Sequence, residues 1–359
     1  MTVTLNEIAE IADFSVSTVS RVLSNSDYPV SAATRQKIMD VAESLGYKPN
    51  IAARSLRTNR TNTVGIIVDD LLSPFVPPIV RGVQDYLKGF DYLGMLINTD
   101  FDPDLEKDAI RTLINRPVDG IIFVESLHNA TSELLTEWDK PYVFVHRLFS
   151  SFVKNSVVPD DYYGASLAVN HLVDLGHRRI GYINGPEGWH SAMRRLVGYQ
   201  DALAARGLEF DSDLVQSGDW AFESGYDATQ NLLEDNQDMT AIFAANDLMA
   251  LGAIYAVQDA GASVPDDVAV VGYDNREIAR IFRPQITTVS LPVYEMGRTA
   301  AELILQQLKN GSEETNEIKI KGELLIRESC GADEAEQAVE ELDAATTSRR
   351  IILNVNPTE

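Results

Sequence analysis

The chain of 359 residues carries 54 acidic against 30 basic side chains, a formal net charge of -24, with 45% hydrophobic and 23% charged residues. That length exceeds one ordinary compact core and predicts two or more domains, while the mixed composition excludes a disordered chain. No run approaches the ~20 uninterrupted apolar residues of a membrane span, and the single cysteine, Cys330, excludes an internal disulfide.

The opening MTVTLNEIAEIADF is acidic where a secretory leader needs a basic start and an apolar stretch, so a cytoplasmic protein is expected. Charge is unevenly spread. Residues 1–60 hold seven basic and six acidic residues, a balance of +1 that leaves about -25 for the remainder, and 48–60 holds four basic residues and no acidic one. An acidic body repels DNA, so this charge pattern permits nucleic-acid binding at the N-terminal end only.

Leu5, Ile8, Ala9 and Ala12 share one face of a helix that Thr4 can cap. After a break at Asp13-Phe14, a second helix turns Val19, Val22 and Leu23 inward and Val16, Ser17, Ser20 and Arg21 outward. A third runs from Ser31 through Ile38, Val41 and Ala42 to Leu45 and closes at Gly46. Two short helices joined by a tight turn are the helix-turn-helix pattern, although a plain three-helix bundle has the same periodicity.

The run VTLNEIAEIADFSVSTVSRVLSNSDYPVSAATRQKIMDVAESLGYKPNIAARSL, Val3 to Leu56, closely resembles the headpiece and hinge of the lac and gal repressor family. The resemblance implies base reading by Val16, Ser17 and Arg21, with Arg21 able to fork onto guanine and Val16 to meet a thymine methyl. It implies DNA-backbone contacts from Thr4, Ser15, Ser20, Asn25 and Thr34, for whose side chains helix capping is the competing role. Lys48 to Leu56 matches the family's hinge helix. The small Ala52 and Ala53 would let two such helices pack closely, the resemblance counts Asn50 and Ala53 among the DNA contacts, and Leu56 corresponds to a leucine that wedges into the minor groove.

From Thr63 the pattern becomes β-branched runs alternating with amphipathic helices. Val64–Val68, Leu93–Ile97, Gly120–Val124, Tyr142–Val145, Arg179–Ile183, Ala241–Ala244 and Val268–Gly272 are expected as buried parallel strands. Helices are expected over Val76–Leu87 and Leu105–Ile114. Two doubly wound sheets follow, and ligands of such sheets sit beyond the carboxyl ends of the strands. This body resembles the periplasmic sugar-binding fold that forms the core of the same family.

The expected architecture is therefore an all-α helix-turn-helix headpiece (1–47), a hinge helix and linker (48–61), and a two-lobed α/β periplasmic-binding-protein-like core (62–331). The resemblance puts the N-lobe at about 62–159 and 291–321 and the C-lobe at about 160–290 and 322–331, with crossings near Val158–Asp161, Val289–Pro292 and Ile320–Glu323. The tail 332–359 has only a brief apolar stripe (Ala335, Val339, Leu342), too short for a coiled coil, and no assigned role.

Strand-end residues of polar or aromatic type suit recognition of sugar hydroxyls and ring faces. By family position Arg195, Trp220, Asn246 and Asp274 fall on effector contacts, with Asp247 adjacent; helix capping by Asn246 and core filling by Trp220 compete with that role. Phe75, Trp189, Ser191, His146, Arg147 and Asp160 are further candidates, and His146 stands where many relatives have an acidic residue. The family implies a homodimer on double-stranded operator DNA whose affinity a small molecule controls, a sugar foremost and a purine as the alternative.

No GxGxxG, phosphate loop or nucleophile elbow is present, and the five histidines are dispersed. No catalysis, cofactor or metal is therefore expected. A sugar-binding transport protein shares the core fold but has no use for the headpiece.

Overall fold

Apolar residues three and four apart fold the N-terminal part into three helices: α1 (Leu5–Ala12), α2 (Val16–Leu23) and α3 (Ala32–Ser44). They bury Ile8, Ala12, Val19, Val22 and Ile38 against one another. Asp13 ends α1 in the left-handed region at φ 61°, which turns the chain sharply into α2; Asp tolerates that conformation better than most residues. The computed structural model describes residues 3–23, 29–47, 60–116, 118–125, 138–146, 155–311 and 317–332. By its contacts the chain divides into Met1–Asn62 and Thr63–Glu359.

The second unit holds two six-stranded sheets. The first contains β1 (Thr63–Val68), β2 (Leu93–Asn98), β3 (Gly120–Val124), β4 (Tyr142–Val145), β5 (Ser156–Pro159) and, from far down the chain, β11 (Ile318–Ile320), in the order β11-β5-β4-β3-β1-β2 and parallel throughout. The second contains β6 (Ile180–Asn184), β7 (Val215–Ser217), β8 (Ala241–Ala244), β9 (Ala269–Asp274), β10 (Thr287–Ser290) and β12 (Leu324–Leu325), ordered β12-β10-β9-β8-β6-β7, with only β12 antiparallel. These are the doubly wound sheets that the alternating pattern predicts. The short strands β5, β7, β10, β11 and β12 were not among the expected runs.

Helices cover the sheets: α4 (Val76–Lys88), α5 (Pro103–Asn115), α6 (Asp161–Asp174), α7 (His190–Ala205), α8 (Phe222–Asp235), α9 (Asp247–Asp259), the short α10 (Ile278–Ile281) and α11 (Val293–Asn310). The chain passes from the first sheet to the second between β5 and α6, returns between β10 and α11, and crosses once more between β11 and β12. Each sheet packs its own apolar core. Three crossings and no covalent clamp leave the two lobes joined by thin connections, the usual anatomy of hinge closure.

Helices α4 and α11 touch through a reciprocal glycine pair. A Cβ on Gly82 would lie 2.1 Å from the carbonyl oxygen of Tyr294, and one on Gly297 would lie 2.0 Å from that of Ile79. Backbone meets backbone there, so no side chain can rotate away. Gly297→Ala gains about 1 kcal/mol in helix propensity but forces the two helices apart, at about 1–3 kcal/mol of overpacking. The expected net result is a lower urea midpoint for the core; an unchanged or raised midpoint would show that the crossing is slack.

Candidate functional site

In the helical unit the outward face of α2 presents Val16, Ser17 and Arg21, all exposed, with Ser20 half-buried beside them. Several hydroxyls on this unit serve the helices themselves. The Thr4 hydroxyl accepts from the Glu7 backbone N–H at 3.4 Å, and Glu7 Oε2 accepts from the Thr4 backbone N–H at 2.7 Å, a complete capping box. Ser15 Oγ accepts from the Thr18 N–H at 3.1 Å, and Thr34 lies in the Ser31 cap of α3, its own hydroxyl 2.8 Å from Ser31 Oγ. Capping and a DNA-backbone contact are compatible only where the oxygen keeps a free lone pair or its proton. Asn25, Asn50, Ala53 and Leu56 lie outside the described residues.

In the two-sheet unit a cavity of about 500 Å³ opens between the sheets, where their strands end. Residues from both lobes line it. Phe75 is the N-cap of α4, while Glu125 and His146 follow β3 and β4 directly. From the other lobe come Asp161 at the start of α6, Trp189, Ser191 and Arg195 at the head of α7, Trp220 after β7, Asn246 at the cap of α9, and Asp274 closing β9.

Backbone geometry marks the same place independently. Among the described residues, the only residues other than Gly, Asn or Asp with left-handed φ are Phe101, Glu125, His146 and Trp220, at 57°, 60°, 78° and 74°. All four line the cavity. Such residues cost about 1–3 kcal/mol each and gather at ligand sites, where the surroundings hold them. Gly185 makes room for one of them: a Cβ there would sit 2.1 Å from Cη2 of Trp220. The Trp220 indole packs edge-on to Trp189, with ring centroids 5.8 Å apart, and its buried Nε1–H has no hydrogen-bond partner among the described residues.

The electrostatic centre is Arg195, 4% exposed. Its Nε donates to Asp161 Oδ1 at 2.8 Å, Nη1 donates to the Ala245 carbonyl and lies 3.8 Å from Asp274 Oδ1, and the guanidinium lies 3.7 Å from the Tyr273 ring centre. Burial works to discharge Arg195, but Asp161, Tyr273 and Asp274 outweigh it and raise its pKa. Burial pushes Asp274 well above the carboxylate range, with Arg195 pulling the other way.

Eight of the ten expected effector residues meet at the cavity: Phe75, His146, Trp189, Ser191, Arg195, Trp220, Asn246 and Asp274. Asp160 is not on its wall. Its carboxylate accepts from the Tyr163 N–H at 3.2 Å as the N-cap of α6, and the next residue, Asp161, lines the cavity instead. Arg147 lies outside the described residues. Asn246 also caps, accepting from the Met249 N–H at 2.8 Å while its Nδ2 donates to the Trp220 carbonyl at 2.9 Å. Asp247 is buried away from the wall, where it accepts from Thr288 Oγ1 and from the Arg276 N–H, each at 2.6 Å. Glu125, Asp161, Phe101 and Arg276 were missed, although each lies at or just beyond the carboxyl end of a strand.

Residues 4–50 match the model for bacterial regulatory proteins of the lacI family, and residues 169–330 match a periplasmic binding protein-like domain. The HTH-type transcriptional regulator RegA of Clostridium saccharobutylicum is 37% identical over 331 residues, covering 92% of this chain and 99% of that protein. The chain belongs to the lacI family of bacterial regulators. Two solved structures are similar in fold. The CelR–cellobiose complex shares 33% identity at a TM-score of 0.66, over 91% of this chain and 99% of that one. The lac repressor dimer bound to operator and the anti-inducer ONPF shares 28% at 0.72, over 92% and 100%. Relatives aligned over 91–92% of this lacI-family chain thus span both sheets and the helix-turn-helix.

Burial beneath the cavity has a titratable consequence. Burial pushes Asp247 up to about 7, against the pull of its bonds from Thr288 and Arg276. A raised folded-state pKa means that the native state keeps the proton longer than the unfolded chain does. Stability from this group is therefore present below about pH 4 and is lost as pH rises through about 7. Asp247→Asn removes that slope and substitutes a pH-independent loss of about 1–3 kcal/mol, because its amide must face donors. Urea midpoints of the two proteins should approach each other between about pH 4 and 8; parallel curves would show Asp247 ionised throughout.

Proposed function

We propose that the protein is a transcriptional repressor that binds a pseudo-palindromic operator as a homodimer, and that a sugar held in the cavity between the two sheets controls its affinity for DNA. The observation that carries this is the cavity lining: groups from both lobes converge on one space, so a ligand there would favour one mutual arrangement of the lobes over another. A ligand shifts such an equilibrium only by its differential affinity for the two states. Similarity to the CelR–cellobiose complex and to the operator-bound lac repressor dimer supports both halves.

Aromatic walls from each lobe, Phe75 on one side and Trp189 with Trp220 on the other, suit the apolar faces of sugar rings. Four carboxyl side chains, Asp70, Glu125, Asp161 and Asp274, line the cavity against two guanidinium groups, Arg195 and Arg276. That balance favours a neutral sugar over a sugar phosphate. On the DNA side, Arg21 with Val16 and Ser17 would read bases, while Thr4, Ser15, Ser20, Asn25 and Thr34 would meet the DNA backbone. Asn50, Ala53 and Leu56 would act at the operator centre. The protein works by binding, with no catalytic step and no cofactor, in the bacterial cytoplasm.

A screen of the full chain by thermal shift against neutral sugars, sugar phosphates and purines, with and without operator DNA, tests the sensor. A neutral sugar that raises the melting temperature and alters DNA affinity is the expected outcome. A purine hit would move the effector class, and turnover of any sugar would refute the non-catalytic role. Arg21→Ala should weaken operator binding by about 5–150-fold, the worth of one bidentate base contact, and leave the sugar's shift unchanged. Equal weakening on unrelated DNA would demote Arg21 to a phosphate contact.

A further inference from the structure

Strands β3 and β4 run side by side with Val124 opposite Val145, and the next residue on each strand is polar: Glu125 and His146. Backbone bonds carry the pairing beyond the strands, from the Glu125 N–H to the Val145 carbonyl at 3.1 Å and from the His146 N–H to the Val157 carbonyl at 2.9 Å. Both residues then turn left-handed, and their side chains meet with His146 Nδ1 2.8 Å from Glu125 Oε1. The Glu125 side chain is 0% exposed and that of His146 9%. The Phe75 ring, 5.1 Å away between centroids and tilted by 42°, covers one face of the imidazole.

An ionised carboxylate only accepts hydrogen bonds, so with Glu125 ionised the proton in this contact belongs to Nδ1. The hydrogen bond at one ring nitrogen fixes the state of the other. In the neutral ring, Nε2 is then a bare lone pair, and among the described residues no group hydrogen-bonds to it.

We infer that Glu125 is a positioning residue that holds His146 as the Nδ1–H tautomer, so that Nε2 faces the cavity as a hydrogen-bond acceptor for a ligand hydroxyl. The acceptor sits on the first lobe's wall of the cavity. Such a wall selects ligands that carry a hydroxyl proton at that position over deoxy or fluoro analogues. Taking a sugar hydroxyl presupposes the effector cavity proposed above; the tautomer does not.

The tautomer is measured on the ligand-free full chain labelled with 15N-histidine. Long-range proton–nitrogen correlation spectra at about pH 8, above the ordinary histidine range, report which ring nitrogens carry a proton. His146 is assigned by the signal missing from His146→Asn, or from His146→Gln should the first variant not fold. A protonated Nδ1 with a bare Nε2 is expected in the wild type, and loss of that pattern in Glu125→Ala assigns it to the carboxylate. A protonated Nε2 in the wild type, alone or together with Nδ1, overturns the assignment whether or not the Glu125 variant folds.

The hydroxyl contact is tested separately by titrating glucose, cellobiose and their monodeoxyfluoro derivatives, which keep an acceptor but lack the proton. One position should weaken binding about tenfold in the wild type and not in His146→Asn. Equal losses in both proteins would remove the contact from His146. No binding by any of these sugars would overturn the hydroxyl contact together with the sugar reading of the cavity, while the tautomer result stands on its own.

Discussion

Taking a guanidinium out of water costs several kcal/mol unless oxygens replace the solvent on every side, and Arg195 is the place where this chain meets that requirement. Its partners come from three different segments: Asp161 at the first turn of α6, the Ala245 carbonyl after β8, and Asp274 at the end of β9. Tyr273 closes one face. Asp161 stands two residues beyond β5, where the chain has just left the first sheet. One buried charge therefore fixes the exit of two strands and the landing point of a crossover, and the wall of the cavity inherits their rigidity. Losing a single partner from such a set leaves an uncompensated charge, worth about 3–5 kcal/mol, so these positions are constrained together.

The opposite tendency shows in the rest of the lining. Among the described residues, four large or charged ones sit in left-handed backbone, at about 1–3 kcal/mol each, and the Trp220 indole proton is buried without an acceptor, at about 1–3 kcal/mol more. A site optimised only for stability would have Gly or Asn at those turns and a partner for the indole. Rigid charge at one wall and stored strain around the rim describe a space shaped for something outside the chain. Gly185 belongs to this bargain, since any larger residue would push the Trp220 ring out of place.

Much of this was legible in the sequence, and the exceptions share a cause. Long apolar runs such as Gly120–Val124 and Ala241–Ala244 became strands with the expected bounds because burial on both faces demands continuous apolar side chains. Strands β7, β11 and β12 are only two or three residues long, are held by neighbours distant in sequence, and carry no periodicity of their own. In the site, strand-end position found Asn246 and Asp274 and family position found Trp220, but the sequence reading named Asp160 where the structure brings Asp161 to the wall. The difference depends on which carboxylate the helix takes as its cap. Glu125 was invisible for a similar reason: its role comes from a left-handed turn and from a partner 21 residues away.

How strongly a ligand could drive the lobes follows from the contacts available. Moving a two-state equilibrium from 1:99 to 99:1 requires about a 10⁴-fold preference for one state, about 5.5 kcal/mol. A hydrogen bond nets about 0.5–1.5 kcal/mol, and more where it satisfies a buried donor. About four or five bonds made in only one lobe arrangement would then suffice. The cavity has that many polar groups, with Asp70 and His146 on the first lobe and His190, Ser191 and Arg276 on the second. Contacts confined to one lobe raise affinity in both arrangements equally and transmit nothing, however tight. A ligand's power to control DNA binding therefore lies in the hydroxyls that span from one sheet's strand ends to the other's, and a sugar too small to span them would bind without switching.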